Sequence, residues 1–193
     1  MSQPPASAEL LAAVAAVMKS WGDQWFVCGA QAVIVHGSPR MTNDVDITLR
    51  LVPDDPLGFA SAMKGAGFSI RVPDLGAFVQ RTRVIPLLHD PSGMPLDVIL
   101  SGPGPEEEFY ARAQKTDIGG VVVPVVSAED LVVMKVFAGR VRDLDDVRGI
   151  VKRRAKALDA ARIRRLLSEI EKALDRVDLV PVFDSIRAES NRP

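Results

Sequence analysis

The sequence has 193 residues, the size of one ordinary domain or of a domain with a small appendage. Hydrophobic residues make up 47% and charged residues 25%, fractions that are typical of a globular protein and exclude intrinsic disorder and collagen-like repeats. Because 24 Lys and Arg residues are balanced by 25 Asp and Glu residues, the net charge of −1 excludes a protein that coats nucleic acid through its overall charge.

The first 126 residues predict a mixture of helices and strands. The turn sequence from Asp90 to Gly93 separates two β-rich runs, so we expect residues 83–89 and 96–100 to form an antiparallel hairpin. Short buried or alternating runs predict further strands at 25–28, 44–49, 67–71 and 121–126. Helical spacing and end signals predict helices at 9–21, 30–36 and 56–65, and an acidic-started helix within 103–114.

The sequence from Ser127 onward predicts helices alone. Ser127, with Asp130 three residues later, has the pattern of a helix N-cap, and the predicted helices are 131–139, 144–156, 160–174 and 181–188. The stretch 135–165 holds eleven basic and four acidic residues. It is interpreted equally as a solvated face with ion pairs such as Arg142 with Asp146 and as an RNA-binding surface.

Together these elements predict an α/β fold. We expect a small, mixed, twisted sheet with helices on one side in residues 1–126, followed by a helical region in 127–193 that closes the cleft. The single cysteine, Cys28, excludes an intramolecular disulfide and, with only two histidines, a closed zinc site. The longest apolar run, 10–18, is about half of the roughly 20 residues that cross a bilayer. We therefore expect a soluble, cytoplasmic protein that does not bind membranes.

A pair of carboxylates is the first candidate site. Asp44 and Asp46 alternate with apolar residues, so they share one face of a strand, and a divalent cation between them would keep both ionised. Asp97 has the same alternation in another strand and could join the pair if the two strands are neighbours. Three carboxylates suit two Mg²⁺ ions, which activate an attacking oxygen and stabilise a leaving phosphate.

Residues before this pair suit phosphate binding. Gly29 and Ala30 follow a strand and open a helix, where backbone N–H groups can approach a phosphate. Arg40 could neutralise a triphosphate oxygen, and Thr42 could hydrogen-bond either the connecting backbone or the nucleotide. With Asp44, Asp46 and Asp97, these four residues predict a site for a nucleotide and its metal ions.

This pattern resembles the nucleotidyltransferase superfamily typified by DNA polymerase β, and within it the abortive-infection toxin nucleotidyltransferases of AbiEii type. The likeness runs from Val27 to Leu49 and, more weakly, from Ser127 to Asp146. By position it implies that Gly29 and Ala30 form the phosphate-binding turn, although Ala30 replaces the Gly or Ser that is common there. It also implies that Asp44 and Asp46 are the metal pair and Asp97 the third acid.

In the C-terminal part, the same resemblance covers Lys135 and the run Ala138–Asp143. It implies that Lys135 faces the nucleotide phosphates and that the run is the family's Arg-containing motif that ends in Asp. Whether its Arg140 and Asp143 are catalytic or form a local ion pair is left open at this point.

The resemblance implies Mg²⁺-dependent transfer of a nucleoside monophosphate from an NTP to an acceptor hydroxyl. The implied acceptor is tRNA or a protein, in a toxin of a toxin–antitoxin or phage-defence system that has a cognate antitoxin. One alternative is a small-molecule transferase similar to the aminoglycoside and lincosamide nucleotidyltransferases, and another is a nucleotide-binding module without turnover. The common NTPase, dehydrogenase and serine-hydrolase motifs are all missing from the sequence.

Overall fold

The computed structural model describes residues 5–22, 24–102, 104–155 and 157–190. Its helices are α1 (Ala6–Trp21), α2 (Gly29–Val35), α3 (Pro56–Gly65), α4 (Leu75–Thr82), α5 (Glu106–Arg112), α6 (Ala128–Ala138), α7 (Val141–Arg154), α8 (Ala160–Leu174) and α9 (Leu179–Ser190). Its strands are β1 (Trp25–Cys28), β2 (Val45–Leu49), β3 (Phe68–Ile70), β4 (Val84–His89), β5 (Met94–Leu100), β6 (Gln114–Ile118) and β7 (Val121–Val125). Residues 103 and 156, which bound a predicted loop and a predicted helix, lie outside the described residues.

The chain divides into two compact units. The sheet unit comprises the described residues of 1–31 and 41–126, and the helical unit comprises those of 32–40 and 127–193. The segment 32–40 belongs with the helical residues, and the sequence-based division into 1–126 and 127–193 remains a prediction. That the helical region closes a cleft stays a prediction.

The sheet unit contains one seven-stranded sheet in the order β3-β4-β5-β2-β1-β7-β6. The pairs β2–β5 and β1–β7 are parallel, and the other four pairs are antiparallel. The α/β class with a mixed sheet is therefore confirmed, as is the antiparallel hairpin of β4 and β5. Helix α1 packs on β7, β5 and α3. Its fully buried Leu10, Leu11 and Val14 form the core of this unit together with apolar strand residues such as Phe26 and Ile47.

The helical unit is built from α6 to α9. Helix α6 begins at the predicted N-cap, where the Asp130 N–H donates to the Ser127 hydroxyl oxygen at 3.2 Å. It ends at Gly139, whose φ of +66° is the left-handed conformation that favours glycine, and the next helix begins two residues later. Buried aliphatic side chains on all four helices, such as Leu131, Ile150 and Leu166, make up its core. No helix in the described ranges is long and apolar enough to span a membrane.

Two elements were not predicted from the sequence. Helix α4 is capped by Asp74, which accepts a hydrogen bond from the Ala77 N–H at 3.0 Å, and Arg83 ends it in a left-handed conformation. Strand β6 consists mainly of exposed polar residues at the edge of the sheet, so it has no apolar alternation to reveal it. The Gly119-Gly120 turn that joins it to β7 was its available signal.

Candidate active site

Three carboxylates lie on two neighbouring strands of the sheet. Strands β2 and β5 pair in parallel, and Asp46 lies directly opposite Asp97 in their register. Residues paired in this way point to the same face, and Asp44, two residues before Asp46, follows the same alternation. The condition for Asp97 to join the pair, that the two strands are neighbours, is therefore met.

Gly29 lies directly against the carboxylate of Asp46. Its neighbour Cys28 is paired with Asp46 across β1 and β2, and Gly29 itself has a φ of +56°. A Cβ atom placed on Gly29 would lie only 2.7 Å from Cγ of Asp46, which is closer than two non-bonded carbon atoms approach each other. Glycine is thus required twice here, by the backbone conformation and by the carboxylate above it. Ala30, next in the predicted phosphate-binding turn, has a buried side chain.

Thr42 fixes the first acid. Its hydroxyl oxygen lies 2.6 Å from Oδ1 and 3.1 Å from the carbonyl oxygen of Asp44, so it can donate to either. Two partners were predicted for Thr42, the connecting backbone and the nucleotide. The contact in the structure is with the backbone and the side chain of Asp44. The contact holds the exposed carboxylate of Asp44 at the entrance to β2.

Arg71, which the sequence did not single out, is bonded to the third acid. It follows β3 directly, and its Nη2 donates to Oδ1 of Asp97 while its Nε donates to the Leu87 carbonyl oxygen at 3.0 Å. Burial raises the pKa of the Asp97 carboxyl group, the Arg71 charge lowers it and the Asp44 charge raises it again, and the net direction is upward. Asp97 is therefore a carboxylate that accepts a proton more readily than a solvated aspartate does.

The donor chemistry of this cluster fits a hard divalent cation. Carboxylate oxygens are the ligands that Mg²⁺ prefers, and a cation would relieve the repulsion between Asp44 and Asp97. Within the part of the chain that the structure describes, however, no three His, Cys, Asp or Glu side chains are grouped closely enough to hold a metal ion. Asp97 is bonded to Arg71 instead, so Asp44, Asp46 and Asp97 supply the right atoms in the right strands without converging on one point.

Two residues predicted to hold the triphosphate, Lys135 and Arg40, lie in the helical unit and are bonded to carboxylates there. Lys135 Nζ lies 3.1 Å from Oδ1 of Asp143 and 2.8 Å from Oδ2 of Asp146. Arg40 Nη1 lies 2.6 Å from that same Asp146 oxygen. The lysine and both acids are buried, with side-chain exposures of 5–8%. The structure thus joins Arg40 to Lys135 through a shared partner, Asp146, for which the sequence had suggested Arg142 as a possible partner.

The Arg-containing motif forms a local ion pair. Arg140 Nε lies 2.5 Å from Oδ2 of Asp143, three residues later. Burial alone raises the pKa of the Asp143 carboxyl group, but hydrogen bonds from Arg140 and Lys135 outweigh burial, and the net pKa is lowered. Asp143 is therefore held as an anion by its partners.

Other cations of the basic stretch also have carboxylate partners. Arg162 donates to the buried Asp130, Arg164 to Asp184 and Arg165 to Glu169. These pairs favour the interpretation as an ion-paired face over the interpretation as an RNA-binding surface for this part of the stretch.

Comparison with solved structures shows the fold. The antibiotic-resistance factor ANT(2″)-Ia, solved in solution, is 12% identical with a TM-score of 0.60 over 90% of this chain and 95% of that one. A crystal structure of ANT(2″)-Ia in complex with adenylyl-2″-tobramycin has a TM-score of 0.57 at 12% identity, over 87% and 98% of the two chains. An antigenic nucleotidyltransferase-like protein from Paracoccidioides brasiliensis is 18% identical with a TM-score of 0.51 over 94% of both chains.

No curated protein sequence matches this chain. A family profile described as "nucleotidyltransferase of unknown function (DUF6036)" matches residues 74–180. This region contains Asp97, Lys135 and Asp143, whereas Asp44 and Asp46 precede it. Because the match spans more than half of the chain, the protein belongs to the DUF6036 family and is a nucleotidyltransferase.

Proposed function

We propose that this protein transfers a nucleoside monophosphate from an NTP to an acceptor hydroxyl at the cluster of Asp44, Asp46 and Asp97, with Mg²⁺ as its cofactor. The parallel register that places Asp46 opposite Asp97 carries this proposal. It unites acids 51 positions apart in sequence on one face, beside a glycine turn that leaves room for the Asp46 carboxylate.

Each residue has a role in this reaction. Asp44 and Asp46 would bind a pair of Mg²⁺ ions together with Asp97, and such ions stabilise the charge that develops on the transferred phosphate. The acceptor oxygen forms a bond to the α-phosphorus, the bond from that phosphorus to the pyrophosphate oxygen breaks, and Asp97 takes the acceptor proton. Asp97 is assigned this role because it lies opposite Asp46 on the same face of the sheet. Gly29 and Ala30 would accommodate the triphosphate, and Thr42 orients Asp44.

For Arg40 and Lys135, contact with the triphosphate stays a prediction. Both are bonded to Asp146, and Lys135 is bonded to Asp143 as well. Either cation would reach a nucleotide only by giving up an ion pair with a buried carboxylate, and breaking a buried ion pair is costly. We therefore assign them first to the helical unit.

The remaining candidate functions differ in the identity of the acceptor. We propose an RNA or protein hydroxyl as the AbiEii-type resemblance implies, with a cognate antitoxin as partner, and a small aminoglycoside-like acceptor is the second candidate. The second candidate is favoured by the fold likeness to ANT(2″)-Ia, which extends over nearly the whole of both chains.

The test is incubation of the purified protein with each α-labelled NTP, Mg²⁺ and, separately, total tRNA, the protein alone or a mixture of aminoglycosides. Label in the tRNA or the protein supports the toxin-type activity, and label in an aminoglycoside supports the second candidate. Nucleotide binding by calorimetry without label transfer to any of these acceptors would contradict the transferase proposal and favour a binding module.

A further inference from the structure

Arg71 reaches its partner across an intervening strand. Its backbone N–H donates to the Pro86 carbonyl oxygen at 3.0 Å, and Pro86 in turn is paired with Asp97. Since neighbouring strands are about 4.8 Å apart, the Cα atoms of Arg71 and Asp97 are separated by roughly 10 Å, within the combined reach of the two side chains.

Two hydrogen bonds hold the guanidinium group of Arg71 in place. Nε is fixed by the Leu87 carbonyl oxygen at 3.0 Å, and Nη2 is bonded to Asp97 Oδ1. About a third of each side chain, 35% of Arg71 and 37% of Asp97, is exposed, so the pair is accessible to an incoming ion. Exposed pairs of this kind contribute on the order of 1 kcal/mol or less to stability, and they exchange partners easily.

The pair lies in one row of the sheet with a second acid. Asp46 is opposite Asp97, so the cross-strand order is Arg71, Pro86, Asp97 and Asp46. A cation bound to Asp97 and Asp46 would therefore meet the positive charge of Arg71 on the same carboxylate. Two cations that share one carboxylate repel each other, so the charge of Arg71 lowers the affinity of this carboxylate for a divalent cation.

We propose that Arg71 sets the divalent-cation affinity of the Asp44, Asp46 and Asp97 cluster. Arg71 neutralises Asp97 while no metal ion is bound, and it releases that carboxylate when a divalent cation binds. This inference rests on the proposed function, since it concerns the same cluster, and it adds a competing internal cation that determines how much free Mg²⁺ the site requires.

The test is a titration of the nucleotide-free protein with Mn²⁺. Binding is measured by calorimetry and by the electron paramagnetic resonance signal of free Mn²⁺. Arg71→Gln removes the charge, so the affinity should rise about five- to tenfold. Arg71→Lys keeps a charge and should stay within twofold of the parent. Arg50→Gln is the matched control because Arg50 also follows a strand directly and is bonded to an exposed acid, Glu107, and it should leave the affinity unchanged.

A coupling measurement separates competition from a general effect on the fold. In the Asp97→Asn background, Arg71→Gln should change the Mn²⁺ affinity by less than twofold, because the shared carboxylate is already neutral. Thermal unfolding of both arginine variants should stay close to that of the parent.

Unchanged or weakened Mn²⁺ binding in Arg71→Gln would overturn the inference and leave the transferase proposal intact. A parent protein that binds no Mn²⁺ would overturn both, because no metal ion would then compete for Asp97. If Arg71→Gln does not fold, Arg71→Lys decides, since a rise in its affinity beyond twofold would contradict a role for charge.

Discussion

Two aspartates of this molecule each accept a hydrogen bond from an arginine, but their pKa values are shifted in opposite directions. Asp97, in the sheet unit, accepts a hydrogen bond from Arg71 and has a raised pKa. Asp143, in the helical unit, accepts hydrogen bonds from Arg140 and Lys135 and has a lowered pKa. Burial raises the pKa in both cases, but Asp97 has one cationic partner and the nearby charge of Asp44 against it, whereas Asp143 has two cationic partners.

The difference extends to the surroundings of each acid. Asp143 and Asp146 are 5–8% exposed and share three cationic partners, Lys135, Arg140 and Arg40. The acids of the sheet unit are exposed or half-buried, and Asp44 raises the pKa of Asp97 instead of being neutralised beside it. Removing one partner of a buried ion pair destabilises a fold, while an accessible acid with a raised pKa is a candidate for binding a metal ion or a proton. We therefore expect a structural role for the helical cluster and keep the proposed chemistry at the sheet cluster.

The largest expected effect tests the chemical side. Asp46→Asn keeps the size of the side chain and removes one charge, so transfer should fall at least about a hundredfold, equivalent to about 2.7 kcal/mol of transition-state stabilisation. Thermal unfolding of the variant, measured in parallel, separates a loss of transfer from a loss of the fold. Asp90→Asn, at the exposed hairpin turn, is the control with full activity. Parent-like turnover in Asp46→Asn would refute the role of the cluster.

The structural side predicts a loss of stability. Asp143→Asn removes a buried counter-charge that Lys135 and Arg140 share, so the free energy of unfolding in urea should fall by about 2–3 kcal/mol. Asp145→Asn changes an exposed acid on the same helix, paired with Arg148 at 3.0 Å, and should cost less than about 0.5 kcal/mol. Equal losses in the two variants would show that burial of the network does not matter.

The same variant has a predicted pH dependence. Because the pKa of Asp143 is lower in the folded protein than in the unfolded chain, its contribution is complete above the unfolded value, about pH 4, and is lost as the pH falls through the folded value. The difference in unfolding free energy between parent and Asp143→Asn should therefore be constant from pH 7 to about pH 5 and shrink in stronger acid. A difference that grows on acidification would contradict the lowered pKa.

A glycine substitution tests the geometry of the sheet cluster with a smaller expected effect. Gly29→Ala combines a left-handed backbone with overlap with Asp46, so it should reduce transfer at least tenfold and stability by about 2 kcal/mol. Gly93→Ala has a similar φ of +66° with nothing within 4 Å of the new methyl group, and it should lose only about 1 kcal/mol, without loss of turnover. Similar turnover in both variants would remove Gly29 from the site.

The smallest effect concerns Thr42. Thr42→Val removes the hydroxyl that holds Asp44, so transfer should fall about three- to tenfold while stability changes by less than about 1 kcal/mol. Thr116→Val removes a comparable exposed hydroxyl, bonded to the Gln114 carbonyl oxygen at 3.1 Å, and should leave turnover unchanged. The ratio of the two rates measures how far the orientation of Asp44 matters.

The sequence by itself determined most of the elements and the candidate acids. The alternation around Asp44 and Asp46, the hairpin turn before Asp97 and the Ser127 cap are local patterns, and local patterns depend on side chains within a few residues. The α/β class followed from the same patterns, the nucleotidyltransferase class was implied by the family resemblance, and both are confirmed. The cytoplasmic location, the Mg²⁺ ions and the acceptor stay predictions.

Only the tertiary structure determined which charged side chains lie next to each other. Asp97 became a neighbour of Asp46 through a parallel pairing, and Arg71 became its partner through the register of β3 on β4. Lys135 and Arg40 meet at Asp146 although they are 95 positions apart. Strand order, register and helix packing depend on how the whole core is buried, and shifting a strand by one residue reverses every side chain on it. For that reason, the residue types of the site could be read locally, but their partners could not.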